Sequence, residues 1–513
     1  MNRFIYTLLH ENPMLYLLLS CTSTEKELDN DLAFEEELLD AINTDINQTD
    51  ASAFALAVIR DGQLVWSQGF GSDTQDDSSV TGDTLFRVAS LTKPMTATVA
   101  LQQVDADCFA LQDTVNQVIT NFEMEQQPAL SQNLTVKDVL QMTGGLMDVQ
   151  EQSGEDGDGM IESFLPVYQE LGYFLSPPGR MYNYSNSNFV LAGRMIELCT
   201  QQYFREALEE DLWAPLGMTN TRLATNSIVS NAAYALGVTT HWPNQVGEEV
   251  TVDAEAYSAS HLWPAMGAWS SVNDMAAFAL FLLNGDSSVL STEKHLEMTS
   301  VQVDTEEGYP SKGYGYGLVV KDGIDMGDKH YSVEMWSHTG SIYGYSSHMY
   351  LLPEFGSGVI VLINRDNASP TNSVPIALGL EALIAGTDSQ IDLPTELSEY
   401  VGTFNNDFNI GEMYITVEEN GLSIEIPTLD EFNIGYDSIL EPVRPDNFLL
   451  HYPDGTYDNL SFIRDNNGNV EYLRHRNYVG EKVIENSLQP SKAPQSKTIH
   501  SLFSHLESTI DVF

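Results

Sequence analysis

Six apolar residues in a row, Phe54-Ala-Leu-Ala-Val-Ile59, run up to Arg60, break at Asp61-Gly62 and resume as Gln63-Leu-Val-Trp66. Two apolar runs joined by a two-residue Asp-Gly turn predict a β-hairpin. Ahead of it, Phe34 to Ile46 carries helical apolar spacing behind an acidic stretch from Glu25 to Asp31. The spacing from Thr84 to Val104 predicts a long helix, with Pro94 near its start, where proline is tolerated. From about 100 to 300 the pattern reads mostly helical. Strand signals return at His348 to Leu352, turn at Pro353 to Gly356, and continue at Val359 to Ile363, followed by a helix from Val374 to Ala385.

Hairpins at both ends of this region, with helices between, imply an α/β (α+β) fold: an antiparallel sheet flanked by helices, with a helical subdomain inserted in the middle and a cleft between the two. From about Pro394 the texture changes to short alternating strands punctuated by Asn420-Gly421, Asp454-Gly455 and Asn467-Gly468, the pattern of an all-β meander or small barrel. The expected organisation is a leader over 1–21, an acidic linker over 22–32, a main unit over 33–387, a C-terminal β domain over 394–481, and a polar tail over 482–513.

Charge narrows the function. With 74 Asp and Glu against 22 Lys and Arg the formal net charge is -52, a field that repels nucleic-acid phosphates and anionic headgroups alike. Nucleic acid is therefore excluded as a partner. Self-repulsion of such a surface is screened within roughly 3 Å at molar salt, which points to a salt-adapted, halophilic source; a merely acidic extracellular protein is the other reading. Cys21, Cys108 and Cys199 are too few and too scattered to suggest a disulfide framework or a zinc site. Cys21 follows Leu17-Leu-Leu-Ser20, a context resembling a lipoprotein leader, although only Arg3 precedes it as a cation and His10 to Pro13 interrupt the apolar stretch. The expectation is export, to the periplasm, the membrane surface through a lipid anchor at Cys21, or the medium.

A serine hydroxyl needs a base within hydrogen-bond reach to act as a nucleophile. Ser-x-x-Lys on a helix supplies one, because residues i and i+3 share a face. The chain contains that spacing three times: Ser23 to Lys26, Ser90 to Lys93, and Ser291 to Lys294. The first lies in the acidic linker and the third beside Glu293. Only Ser90 opens a long apolar helix, whose start also offers a backbone N–H to an oxyanion, a donor worth about 2.7–4 kcal/mol. For Lys93 to serve as a neutral base its pKa must fall, at about 1.4 kcal/mol per unit. Tyr184 and Asn186, in a turn leading into a helix, can point into the same cleft; read alone, Tyr184 is as well explained as a core tyrosine, and Tyr457-Asp-Asn459 repeats the spacing. His338-Thr339-Gly340-Ser341 enters the late strand pair: Thr339 offers a hydroxyl, Gly340 lets backbone approach, and Ser341 N–H is a second oxyanion donor. Lys321 competes as a cation, but Asp322-Gly323 beside it reads first as a turn.

In this order, the three elements resemble the serine β-lactamase, penicillin-binding-protein and esterase superfamily. The stretches Val139 to Leu146, Pro215 to Thr219, Trp269 to Asp274 and Tyr314 to Gly317 also look like that family, over roughly residues 33 to 385. The resemblance implies that Ser90 is acylated, that Lys93 and Tyr184 share proton transfer, that Asn186 orients substrate, and that Ser90 and Ser341 N–H form the oxyanion hole. It implies no metal and no cofactor. It also departs from the β-lactamases, which usually carry lysine where this chain has His338, so the anchor for a β-lactam carboxylate is weak. An acidic, glycine-rich stretch from Asp148 to Glu162, if it rims the cleft, disfavours anionic substrates further.

The reading is thus a serine hydrolase forming an acyl-enzyme on a small-molecule or peptide ester or amide. D-amino-acid peptidase or DD-carboxypeptidase comes next, then β-lactamase. A catalytically silent envelope binding protein is the alternative of another class. The C-terminal β domain would shape the cleft rim or join copies of the chain into a homo-oligomer.

Overall fold

Alternate residues of the strand Ala53–Arg60 serve two cores. Ala53, Ala55, Ala57 and Ile59 face one, and Phe54, Leu56 and Val58 the other, so this strand is buried on both sides and its apolar run is unbroken. It pairs antiparallel with Gln63–Gly71 through the turn at Asp61 and Gly62, both at positive φ, and on its other edge with Ser357–Ile363. The nine-stranded antiparallel sheet continues through Tyr345–Leu352, Lys329–Ile342, Val319–Met326, Lys312–Tyr314 and Val303–Asp304, with Thr387–Asp388 on a side edge. One face is covered by the helix over residues 34–49 and by Ser373–Leu378. The other carries the larger core and the helices inserted between the two parts of the sheet, among them Thr92–Asp105, Asn186–Thr200 and Val272–Asn284. The computed structural model describes residues 34–149, 157–225, 227–228, 232–241, 247–254, 259–307, 312–326, 329–388, 393–453 and 455–483. The expectations at Cys21, at Ser23 to Lys26 and in the tail beyond 483 lie outside them.

Eight antiparallel strands between Gly402 and Lys482 form a second sheet. It closes almost into a barrel, because Ile424 N donates to Ser438 O and Leu440 N to Leu422 O across the seam. Its interior is apolar, built on Phe404, Ile415, Phe448, Phe462 and Leu473. Tyr173, Leu175 and Met181 of the first unit pack with Ile463, Tyr472 and Val479 of the barrel, and Arg180 pairs with Glu471 beside them.

Four sequence expectations are corrected. The helix begins at Thr92 and not at Thr84: Phe86–Arg87 pairs with Trp269–Ser270 as strand, and Ala89 takes φ 44° in a short 3-10 turn, Ala89–Leu91. Gly379, at φ 70°, splits the helix expected from Val374 to Ala385 into Ser373–Leu378 and Leu380–Leu383. Asp322-Gly323 is no turn. It lies inside the strand Val319–Met326, where Gly323 at φ 96° meets an irregularity in the pairing with Tyr331 to Glu334. Finally, Cys108 and Cys199 form a disulfide, linking the residues just beyond the helix Thr92–Asp105 to the last turn of Asn186–Thr200.

Candidate active site

Ser90 sits in the middle of the 3-10 turn, held in place from three sides. Thr92 Oγ1 donates to Ala89 O at 2.7 Å and accepts from Ala268 N, while Ser347 Oγ donates to Val88 O at 2.7 Å. Gly340 packs so tightly that a Cβ there would stand 2.8 Å from Ser90 N and 2.6 Å from Val88 O. Glycine is therefore required, and it brings the strand of His338, Thr339 and Ser341 against the amide of Ser90.

Lys93 is fully buried in the first turn of the helix that follows. Its Nζ lies 2.9 Å from Ser90 Oγ, 2.7 Å from Asn186 Oδ1 and 3.0 Å from Ala265 O. The amide and backbone carbonyl oxygens can only accept. A neutral amine gives its two N–H donors to them and keeps its lone pair for the serine hydroxyl. Burial drives the Lys93 ammonium well below the ordinary lysine range, with Arg476 adding to the shift and Asp148 opposing it.

Asn186 opens the helix Asn186–Thr200 and is buried. Its backbone N–H donates to Asp148 Oδ1 at 2.7 Å, and its Nδ2 has no partner among the described residues, which leaves a buried donor at the cleft for a bound carbonyl. Tyr184 lies between these groups: Lys93 Nζ is 4.7 Å from its ring centroid, and the His338 ring is 6.2 Å away. His338 is buried, with Nδ1 2.7 Å from Thr339 O and Nε2 3.5 Å from Tyr314 Oη. Burial first, then the nearby Lys93, push its pKa down to about 3, so the imidazole is neutral in ordinary buffers. Ser341 is exposed at the rim, its Oγ donating to Asn367 Oδ1 at 3.0 Å.

The decoys fall elsewhere. Ser291 is an N-cap, accepting from Lys294 N, and Lys294 pairs with Glu297 at 2.9 Å. Lys321 is a strand residue opposite Met335 and Lys312. In Tyr457-Asp-Asn459, Asp458 is buried in the barrel and accepts from Tyr452 Oη. The described carboxylates of the acidic loop each meet an arginine: Asp148 with Arg476, Asp158 with Arg205 and Glu162 with Arg194. Arg476 itself, 4.6 Å from the Tyr184 ring centroid, is a residue the sequence did not reveal. Among the described residues no group of three or more His, Cys, Asp or Glu is placed to hold a metal ion.

The family model described as Beta-lactamase matches residues 34–383. The chain belongs to the Beta-lactamase family. Among curated relatives it is similar to an unguisins hydrolase of Aspergillus campestris, 26% identical over 343 residues, which cover 65% of this chain and 62% of that protein. The chain thus spans a little over three fifths of that relative's length. In structure it resembles SurE at a TM-score of 0.66 and 20% identity, covering 88% of this chain and all of that one. It also resembles the D-amino acid amidase of Ochrobactrum anthropi SV3 at a TM-score of 0.56 and 21% identity, covering 68% of this chain and 99% of that one. Family membership accounts for the sheet and the helices inserted between its two parts.

Proposed function

We propose that the protein is a serine hydrolase that cleaves a neutral ester or amide through an acyl-enzyme on Ser90. The observation that carries the reading is the fully buried Lys93 Nζ at 2.9 Å from Ser90 Oγ, with Asn186 Oδ1 and Ala265 O at 2.7 and 3.0 Å to take its N–H groups. In this scheme Ser90 Oγ attacks the substrate carbonyl carbon as its proton passes to Lys93 Nζ. The negative oxygen is received by the backbone N–H groups of Ser90 and Ser341. As the carbonyl re-forms, the bond to the leaving alcohol or amine breaks, and that group takes a proton relayed through Lys93 and Tyr184. Water then attacks the acyl-enzyme, giving up a proton along the same route and releasing the acid and Ser90. Asn186 Nδ2, a buried donor without a partner among the described residues, suits a carbonyl oxygen next to the scissile bond.

A neutral His338 favours uncharged acyl groups over carboxylate-bearing β-lactams. Amides and peptides of D-amino acids are the second reading, favoured by the likeness to the D-amino acid amidase. The Cys108–Cys199 disulfide supports an exported protein, since such bonds persist in oxidising compartments. Self-association through the barrel is a further proposal, read by size-exclusion chromatography of a chain ending near Thr387.

The deciding experiment compares initial rates on a p-nitrophenyl short-chain ester, at high salt, for the protein and Ser90→Ala. Loss of the rate in the variant supports the reading; an equal rate in both removes it. Efficient penicillin turnover would overturn the preference for neutral substrates.

A further inference from the structure

The barrel reaches the candidate active site through one turn. Residues 475–478 connect the strands Val470–Arg474 and Val479–Lys482, and each side of the turn is anchored. Arg474, 1% exposed, donates to Tyr182 O, to Thr305 O at 2.8 Å and to Ser461 Oγ at 3.0 Å. His475 Nε2 stands 3.4 Å from Asp458, which also accepts from Tyr478 Oη. Asn409 Nδ2 donates to Asn477 O at 2.7 Å, and Asn183 Nδ2 to Arg476 O at 3.0 Å. The backbone at Arg476 is therefore fixed both to the barrel and to the unit carrying Ser90.

From that position Arg476 donates through Nε and Nη2 to Asp148 Oδ2, at 3.0 and 2.7 Å. Asp148, its side chain 1% exposed, uses its other oxygen for the backbone N–H of Asn186. Asn186 Oδ1 holds Lys93 Nζ, and Lys93 reaches Ser90. A second connection runs through Tyr184, whose ring centroid lies 4.6 Å from the Arg476 guanidinium and 4.7 Å from Lys93 Nζ. The side chains of Arg476 and Lys93 thus share one aromatic ring; a guanidinium keeps its charge in a protein, whereas the pKa of a buried lysine is readily lowered.

We propose that Arg476 is a positioning residue of the Ser90 site: carried in by the barrel, it fixes Asp148 and the ring of Tyr184 and, through them, Asn186 and the amine of Lys93. The barrel is then part of the catalytic machinery and not an appendage to it. The proposal rests on the hydrolase reading for its catalytic meaning, but the coupling of Arg476 to Lys93 is a property of the folded protein and is measured without substrate. Burial acts first on Lys93, and of the charged groups Arg476 lowers its pKa while Asp148 raises it; Tyr184 and His338 are the other titratable groups facing it.

The test follows the Lys93 Cε resonance against pH in the full chain labelled with 13C-lysine, assigned by its loss in Lys93→Met. Arg476→Met should move the midpoint up by about one pH unit and Asp148→Asn should move it down, since removing a like or an opposite charge acts with opposite sign. Arg476→Lys, which keeps the charge but not the two-point contact, should restore the midpoint and not the full kcat on the ester. A role confined to stability predicts lowered melting temperatures in both variants with no opposed shifts. An unmoved midpoint in Arg476→Met, with circular dichroism showing a folded protein, overturns the proposal. If the midpoints move as expected but Ser90→Ala is as active as the unaltered protein, the coupling stands and the hydrolase reading falls.

Discussion

Asn186 Oδ1 accepts a 2.7 Å hydrogen bond from Lys93 Nζ, joining the helices Thr92–Asp105 and Asn186–Thr200 at their N-terminal ends. Cys108 and Cys199 join the same pair at the other end. The two helices that supply the site are thus tied at both extremes, polar contact at the cleft and covalent bond away from it.

Replacing both cysteines by serine should lower stability by about 2–4 kcal/mol, because the bond closes a long loop in the unfolded chain. Chemical unfolding of the variant reads the loss. Its kcat at low temperature should stay close to that of the unaltered protein, since the disulfide is remote from Ser90.

The Lys93 amine must be neutral to take the proton of Ser90, and burial holds its pKa well below the usual lysine value. Lowering the pH through that depressed pKa protonates it and removes the base, so kcat/KM should rise with pH along an acid limb well short of 10 and then level off. A profile that begins to rise only near 10 would contradict this. Lys93→Ala should lower kcat by roughly 10²- to 10⁴-fold, the usual worth of a positioned base.

Ser291→Ala should cost about 1 kcal/mol of stability through the lost N-cap and leave the ester rate unchanged. Ser90→Ala should do the reverse. Measuring both in one thermal and one kinetic series separates the motif that caps a helix from the motif that does chemistry.

Buried His348, with Nε2 2.8 Å from Ala368 O, has its pKa pushed down to about 4 by burial. Between about pH 6.5 and 4 the unfolded chain binds a proton that the native imidazole refuses, so stability is lost as the pH falls through that window, by about 3 kcal/mol for this residue. His338 acts in the same direction. The melting temperature of His348→Gln should fall less steeply across that range than that of the unaltered protein.

The sheet and the barrel were legible because their strands carry strong periodicity and turn residues, as at Asp61-Gly62 and Asn467-Gly468. Ser90 was separable from Ser291 because one opens a long apolar helix and the other belongs to a motif that contains Glu293. Three things were hidden for physical reasons. The left-handed φ of Ala89 leaves no mark in a residue that usually avoids it. The pairing of Cys108 with Cys199 depends on two helices lying side by side, which spacing along the chain does not report. Arg476 is one arginine in a β-rich segment, and what matters about it is that folding brings it to Asp148, 328 positions away. Asp148, read as the start of an acidic rim, turned inward for the same reason.

Asn364 Oδ1 accepts from Ser52 N and Ala53 N at 3.1 and 2.8 Å, clasping the strand Ala53–Arg60 to the end of Ser357–Ile363, more than 300 positions later. Closing so long a loop is slow, and until it closes the first strand lacks its inner neighbour and shows one unpaired edge. The rate of forming the native sheet should therefore be governed by the late arrival of a segment far along the chain, making the hairpin at Asp61-Gly62 an early, sticky species that a chaperone or rapid collapse of the inserted helices must shield.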